Sequence, residues 1–210
     1  MGAILWKDIL SEYRSREVVV TMVVFALLVI VLFNFAFELG ERWRASVGSG
    51  VLWTAILFSS VLGMNRAFSL EKEGECIQGL VLSPADRGAI FLGKLAGNLI
   101  FLLVVEAVSL PVFAGLYDFP LDRVLLGVGP VVLLATVGLA GVGTLFAAIA
   151  VNTKAREVML PLLLFPVAIP VIIGAAGATT RVLAGETLGE QAVWLRLLGV
   201  YDVIFLVISI

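Results

Sequence analysis

The sequence of 210 residues contains no histidine and a single cysteine, Cys76. The lack of histidine excludes an imidazole general base and an imidazole metal ligand. One cysteine excludes a disulfide or a cysteine metal cluster within one chain. Charged residues make up 14%, against about 25% in soluble domains, so there is little room for a soluble domain. A net charge of −2 argues against nucleic acid as a partner.

Apolar residues are abundant instead, at 61% with a mean hydropathy of +1.12, where soluble domains average about 45–50%. About 20 apolar residues in a helix span the hydrocarbon layer of a membrane. The sequence therefore predicts an all-α integral membrane protein, with residues 1–210 as a single transmembrane domain. The last run is short after Arg196, so we expect an oblique helix or a chain that continues past Ile210. The six predicted spans are 18–37, 45–65, 95–117, 124–151, 158–180 and 191–210.

Residues 1–17 combine apolar side chains at helical spacing with charges on the opposite side. This pattern is typical of an amphipathic helix that lies in the membrane interface. Trp6 and Tyr13 are the expected anchors, as aromatic rings favour that depth. A plain solvated N-terminus would expose Trp6 to no purpose, so we favour the interfacial helix.

Residues 69–94 form the longest charged interval in the chain. A helix can continue through its glutamates to about Leu82 but not through Pro84, which lacks an N–H. Ser83 is suited to N-cap a second helix, with Pro84 at the first position and Asp86 at the third. The pattern predicts a helix, a break and a helix at the membrane surface, in contact with a separate motor protein. The predicted contact residues are Glu71, Glu73, Ile77, Leu80, Leu82, Ser83, Pro84 and Arg87.

The distribution of basic residues favours a cytoplasmic N-terminus, because nine of the fourteen Lys and Arg residues then lie on the inner side. Residues 66–94 are cytoplasmic in this orientation. Gly88–Lys94 has the spacing of a phosphate-binding loop, but Leu95 stands where a magnesium-binding Ser or Thr is required and no strand precedes it. We therefore expect any ATP to be bound by another chain.

Two ionisable residues lie inside predicted spans. Glu106 is in the middle of the third span, where an acid is costly unless paired or hydrated. It is either a functional group or a protonated, hydrogen-bonded structural glutamate. Asn98 lies two turns earlier on nearly the same face, so the two residues are predicted to share a polar track. Asp202, in the last run, is expected to pair with Arg196 or with a base on another helix.

Small residues and prolines mark two other spans. Gly138, Gly141 and Gly143 predict a close helix approach in the fourth span. The fifth span contains three prolines, which free backbone carbonyls and predict kinks; such a helix either lines a cavity or carries static kinks. Trp43 and Trp53 are predicted near the outer end of the second span. The three kink residues are Pro161, Pro166 and Pro170.

Three stretches resemble the haem exporter protein B family (CcmB), the membrane subunit of the cytochrome c maturation ABC transporter. They are LEKEGECIQGLVLSPADRGAIFLGKLAGN (70–98), FLLVVEAVSLPVF (101–113) and REVMLPLLLFPVAIPVII (156–173). The resemblance implies an ABC-2 type permease fold in the bacterial cytoplasmic membrane, with a coupling helix after the second span. It also implies a homodimer within a complex that contains a CcmA-like ATPase, CcmC- and CcmD-like haem-handling subunits and a CcmE-like periplasmic haem chaperone.

The resemblance implies a non-catalytic subunit that binds no cofactor itself, with haem as cargo of the complex and ATP on the partner. The lack of histidine leaves two roles open: transport of haem, or ATP-driven release of the loaded chaperone from a neighbouring subunit. A permease for another hydrophobic cargo, such as a lipid or drug, is an alternative that the triple-proline helix disfavours. An intramembrane enzyme is disfavoured because Glu106 and Asp202 lie on distant segments.

Overall fold

The computed structural model describes residues 2–37, 40–73, 86–150, 153 and 155–209. In these ranges the chain is helical, and no strand is assigned. A π-helical turn, Arg123–Val128, leads into the fifth helix, and a 3₁₀ turn, Leu188–Gln191, leads into the seventh. The α-helices are α1 (Gly2–Ser15), α2 (Glu17–Ala36), α3 (Glu41–Glu73), α4 (Arg87–Leu116), α5 (Gly129–Ala150), α6 (Arg156–Leu183) and α7 (Ala192–Ser209).

Six helical segments of the described chain are long and apolar enough to cross a membrane. The predicted all-α class with six transmembrane helices is therefore confirmed. The segments start and end within a few residues of the predicted spans, except that the third begins earlier, at Gly88 rather than residue 95. They are Glu17–Ala36, Trp43–Arg66, Gly88–Leu116, Arg123–Ala150, Val158–Leu183 and Leu188–Ser209.

Helix α5 lies at the centre of the bundle, packed against α3, α4, α6 and α7. Its glycines make this possible, since a side chain at these positions would meet a neighbouring helix. A Cβ at Gly138 would overlap Asp202 Oδ1 and lie 3.1 Å from the Tyr201 ring, and one at Gly143 would overlap the Met64 sulfur. The predicted small-residue face therefore serves close helix packing.

A single residue joins α1 to α2. Arg16 adopts the left-handed conformation with φ of 57°, which turns the chain between the two helices. The Glu12 carboxylate of α1 accepts hydrogen bonds from the backbone N–H groups of Val18 (3.4 Å) and Val19 (2.8 Å). These N–H groups belong to the first turn of α2 and have no partner within the helix. Glu12 therefore caps α2 from the preceding helix.

Trp53, predicted near the outer end of the second span, has a fully buried side chain, and its Nε1–H donates to Thr179 Oγ1 at 3.0 Å, which joins α3 to α6. One expectation about local structure is wrong. Asp86 was expected inside a helical turn begun by Ser83, but it has extended backbone (φ −62°, ψ 141°) and precedes α4 as its N-cap residue. Helix α4 begins at Arg87, so Asp86 immediately precedes this helix and does not lie in its first turn.

We predict that Gly138→Ala lowers the free energy of unfolding by about 1–3 kcal/mol, the usual cost of overpacking a core. The matched control is Gly141→Ala on the same helix, where the new Cβ would lie 3.5 Å from Leu206, an ordinary contact. Both changes gain the same helix propensity, so their difference reports packing alone. Thermal unfolding in detergent measures it. Equal stability of the two variants would contradict the tight approach of α7 to Gly138.

Candidate functional site

Two buried polar pairs join α4 to α5. Asn98 Nδ2 donates to Thr144 Oγ1 at 2.9 Å, and Glu106 contacts the hydroxyl of Thr136. Eight residues separate the two positions on each helix, as expected for antiparallel helices that keep one register over two turns. The structure therefore brings Asn98 and Glu106, predicted to share a polar track, to one helix interface. The two threonines were not identified from the sequence.

The Thr136 hydroxyl has one proton and two nearby acceptors. It contacts a carboxyl oxygen of Glu106 and lies 2.7 Å from the carbonyl oxygen of Val132. Both contacts of the Thr136 hydroxyl are satisfied when Thr136 donates to Val132 and Glu106 carries a proton that it donates to Thr136, although the other carboxyl oxygen of Glu106 has no partner among the described residues. No basic side chain forms an ion pair with Glu106 within the described ranges. The geometry therefore supports the interpretation of Glu106 as a hydrogen-bonded, neutral acid.

A second buried acid lies on the opposite side of α5. Asp202 of α7 is 5% exposed and faces Gly138, which is two residues, or about 200° of helical rotation, from Thr136. Neither carboxyl oxygen of Asp202 has a hydrogen-bond partner among the described residues. The expected pairing with Arg196 is wrong, because Arg196 is exposed and makes no ion pair with Asp202. Helix α5 is thus placed between two buried acids.

Among the described residues, two ion pairs attach α1 and the start of α2 to other helices. Lys94 of α4 contacts Asp8 of α1 at 2.7 Å, with side-chain exposures of 10% and 13%, whereas the Arg66–Glu17 pair (2.6 Å) is about half exposed. Exposed pairs contribute little, so Asp8–Lys94 is the stronger constraint. It fixes α1 against α4, an attachment that the sequence pattern did not reveal.

The predicted motor-contact segment begins on a helix that extends beyond its apolar part. The apolar part of α3 ends at Arg66, and the helix continues to Glu73, about 10 Å farther at 1.5 Å per residue. Glu71 and Glu73 lie on this extension, and Arg87 is the first residue of α4; their side chains lie outside the described part. Five further predicted contact residues, Ile77, Leu80, Leu82, Ser83 and Pro84, lie outside the described residues.

The three predicted kink residues lie within one continuous helix, α6. Pro161 is partly buried, whereas Pro166 and Pro170 are exposed on the outward face with Leu162 and Ile169. Each proline leaves the carbonyl four residues earlier without its helical donor. The outward face of α6 therefore carries backbone acceptors that a lipid tail does not satisfy.

The fold defines a multi-pass integral membrane protein. A comparison with protein families matches residues 1–210 to the family described as CcmB protein. Because the match covers the whole chain, the protein belongs to the CcmB family. The resemblance noted in the sequence is confirmed.

Curated relatives agree with this assignment. Three of them are called heme exporter protein B. The one from Rhodobacter capsulatus is 29% identical over 182 residues, covering 86% of this chain and 83% of the relative. The one from Pseudomonas aeruginosa is 28% identical over 186 residues, with coverages of 87% and 81%. The one from Paracoccus denitrificans is 29% identical over 193 residues, with coverages of 88% and 84%.

We predict that Thr136→Val lowers the free energy of unfolding by about 1 kcal/mol, because it leaves the buried Glu106 carboxyl without its partner. Glu106→Gln should be nearly neutral, since the neutral amide can still donate to Thr136. Thr54→Val, on an exposed position of α3, is the isosteric control. Denaturant titration in detergent checks all three. A larger loss for Glu106→Gln than for Thr136→Val would show that the carboxylate form is required.

Proposed function

We propose that this chain is the transmembrane subunit of an ABC transporter complex that serves haem delivery in cytochrome c maturation. The observation that carries the proposal is the CcmB family match over residues 1–210, together with relatives named for haem export. The chain supplies no ATP site and is not an enzyme in this proposal. A partner ATPase, similar to CcmA, hydrolyses ATP, and the subunit converts that work into a movement of membrane helices.

The connections of the helices suit such a transfer of motion. The proposed contact segment lies between α3 and α4, two rigid helices of 33 and 30 residues. A force on this segment acts directly on both helices. Through Arg66–Glu17 it reaches α2, and through the buried Lys94–Asp8 pair it reaches α1. The interfacial helix would then move with α4 and not independently of it.

The outward face of α6 supports a homodimer within the complex. Carbonyls freed by Pro166 and Pro170 require donors that hydrocarbon cannot supply, and such backbone is tolerated where it meets protein or a water-filled cleft. A second copy of the chain on this face would provide either environment. The CcmC-, CcmD- and CcmE-like partners remain part of the proposal through the family resemblance.

The packing of α5 bears on how haem is handled. Four helices surround α5, and its glycine face is filled by side chains such as Met64 and Tyr201. A path for a flat macrocycle through the core of one chain would require this packing to open. With no histidine in the chain, we favour the mechanical role: ATP-driven release of the haem-loaded chaperone from a neighbouring subunit. Transport of haem between two copies is the second candidate.

We predict that the double charge reversal Glu71→Lys/Glu73→Lys lowers the amount of ATPase that co-purifies with the membrane subunit by about tenfold or more. Unfavourable charge contacts at an interface cost at least the equivalent free energy. Cytochrome c maturation should fall in parallel. Co-purification from detergent-solubilised membranes measures the first effect, and haem staining of cytochromes c measures the second.

The control for this experiment is Asp122→Lys at the opposite end of the bundle, where Asp122 is exposed. It should leave both readouts unchanged. If the double variant retains the ATPase and supports maturation, the proposed contact is wrong.

A second prediction concerns the orientation, which places residues 66–94 in the cytoplasm. Cys76 is the natural single cysteine, so a membrane-impermeant maleimide reports its side of the membrane. We expect no labelling in spheroplasts and full labelling in urea-washed inside-out vesicles. The control, Cys76→Ser combined with Asp122→Cys, should give the opposite result. Labelling of Cys76 from the periplasmic side would overturn the orientation and the proposed contact with a cytosolic ATPase.

A further inference from the structure

A groove lies at the elbow between α1 and α2, with α4 as its floor. Its volume is about 340 Å³, at the lower end of the range of about 300–1,000 Å³ for small-molecule sites. Ile9, Val20, Phe101 and Val104 supply apolar walls. The groove therefore suits a narrow hydrocarbon chain.

The groove opens toward the membrane. Val20 and Val104 line it, lie within membrane spans and are 51% and 43% exposed. Phe101, at 8% exposure, closes the inner side. Hydrocarbon from the bilayer can enter this opening without crossing a polar barrier. The opposite end of the groove reaches the turn between α1 and the first span, which we expect at the depth of lipid headgroups.

A basic residue lies at the elbow end of the groove. Arg16 is one of the residues that line the groove, and its guanidinium lies 5.9 Å from the centre of the Tyr13 ring. Within the described residues, no carboxylate forms an ion pair with Arg16. Glu12 also lines the groove, and its carboxylate accepts hydrogen bonds from the backbone N–H groups of Val18 and Val19. A phosphate would supply an ion-pair partner for Arg16.

We propose that this groove binds one anionic phospholipid, with an acyl chain along the apolar walls and the phosphate at Arg16. An apolar groove open to the bilayer, with a cation at its headgroup end, complements such a lipid in both shape and charge. The bound lipid would stabilise the packing of α1 against α2 and α4. The site does not depend on the proposed transport function, since it uses only the membrane spans and the elbow.

The test uses the full-length protein and measures retention of phosphatidylglycerol and phosphatidylcholine by native mass spectrometry from mixed micelles. The wild-type chain should prefer phosphatidylglycerol. Arg16→Gln should weaken phosphatidylglycerol binding about fivefold, the usual effect of one basic residue at an anionic membrane surface. Arg14→Gln is the matched control, because Arg14 is exposed and does not line the groove. Arg16→Lys should restore binding.

A second pair of variants tests the apolar walls. Val104→Trp fills the groove and should reduce retention of both lipids, whereas Val108→Trp, one turn along the same helix and also exposed, should not. Equal effects of the two arginine changes, or of the two tryptophans, would overturn the proposal and leave only general annular lipid. If the wild-type chain shows no preference for phosphatidylglycerol, the proposal is also wrong. That result would fit a groove that binds a helix of another chain.

Discussion

The structure depends on the close approach of four helices to α5. In a bilayer the apolar side chains gain little from burial, because lipid tails are equally apolar, so helix association relies on packing contacts and hydrogen bonds. The glycines of α5 allow both. They bring α7 and α3 close enough for side chains such as Tyr201 and Met64 to fill the gaps, and the adjacent threonines bind Asn98 and Glu106 of α4. The buried acids are tolerated within this framework.

Much of the fold could be predicted from the sequence, because long uncharged runs have one stable conformation in hydrocarbon. The number of spans and the small-residue face of α5 followed from such local patterns. The polar track was predicted only on one helix, since helical periodicity placed Asn98 and Glu106 together but could not name Thr144 and Thr136 across the interface. The partners of Asp8 and Trp53, Lys94 and Thr179, are 86 and 126 residues away, and no local pattern reports such separations.

The candidate site has two parts that differ in how far the sequence could define them. For the predicted motor-contact segment, Pro84 and the glutamates indicated a break between charged helices, and the extension of α3 beyond its apolar part to Glu73 fits the first half of that pattern. Asp86 was misplaced because the start of a membrane helix and an N-terminal capping motif share the same residue types. For Glu106 and Asp202, the sequence indicated that an acid within a span is energetically costly, but it did not indicate which residues surround each acid. The unpartnered Asp202 depends on the position of α7 against Gly138, which is a tertiary property.

The one-residue connection at Arg16 has a consequence for the membrane around the protein. Since α1 is attached to α2 by this residue and to α4 by Asp8–Lys94, its height relative to the spans is fixed. A bilayer thicker or thinner than the first span cannot be accommodated by sliding α1 up or down. The cost of hydrophobic mismatch then falls on the lipids or on the tilt of the whole bundle. We expect a change in bilayer thickness to alter the tilt of the bundle, with α1 keeping its place against α2 and α4.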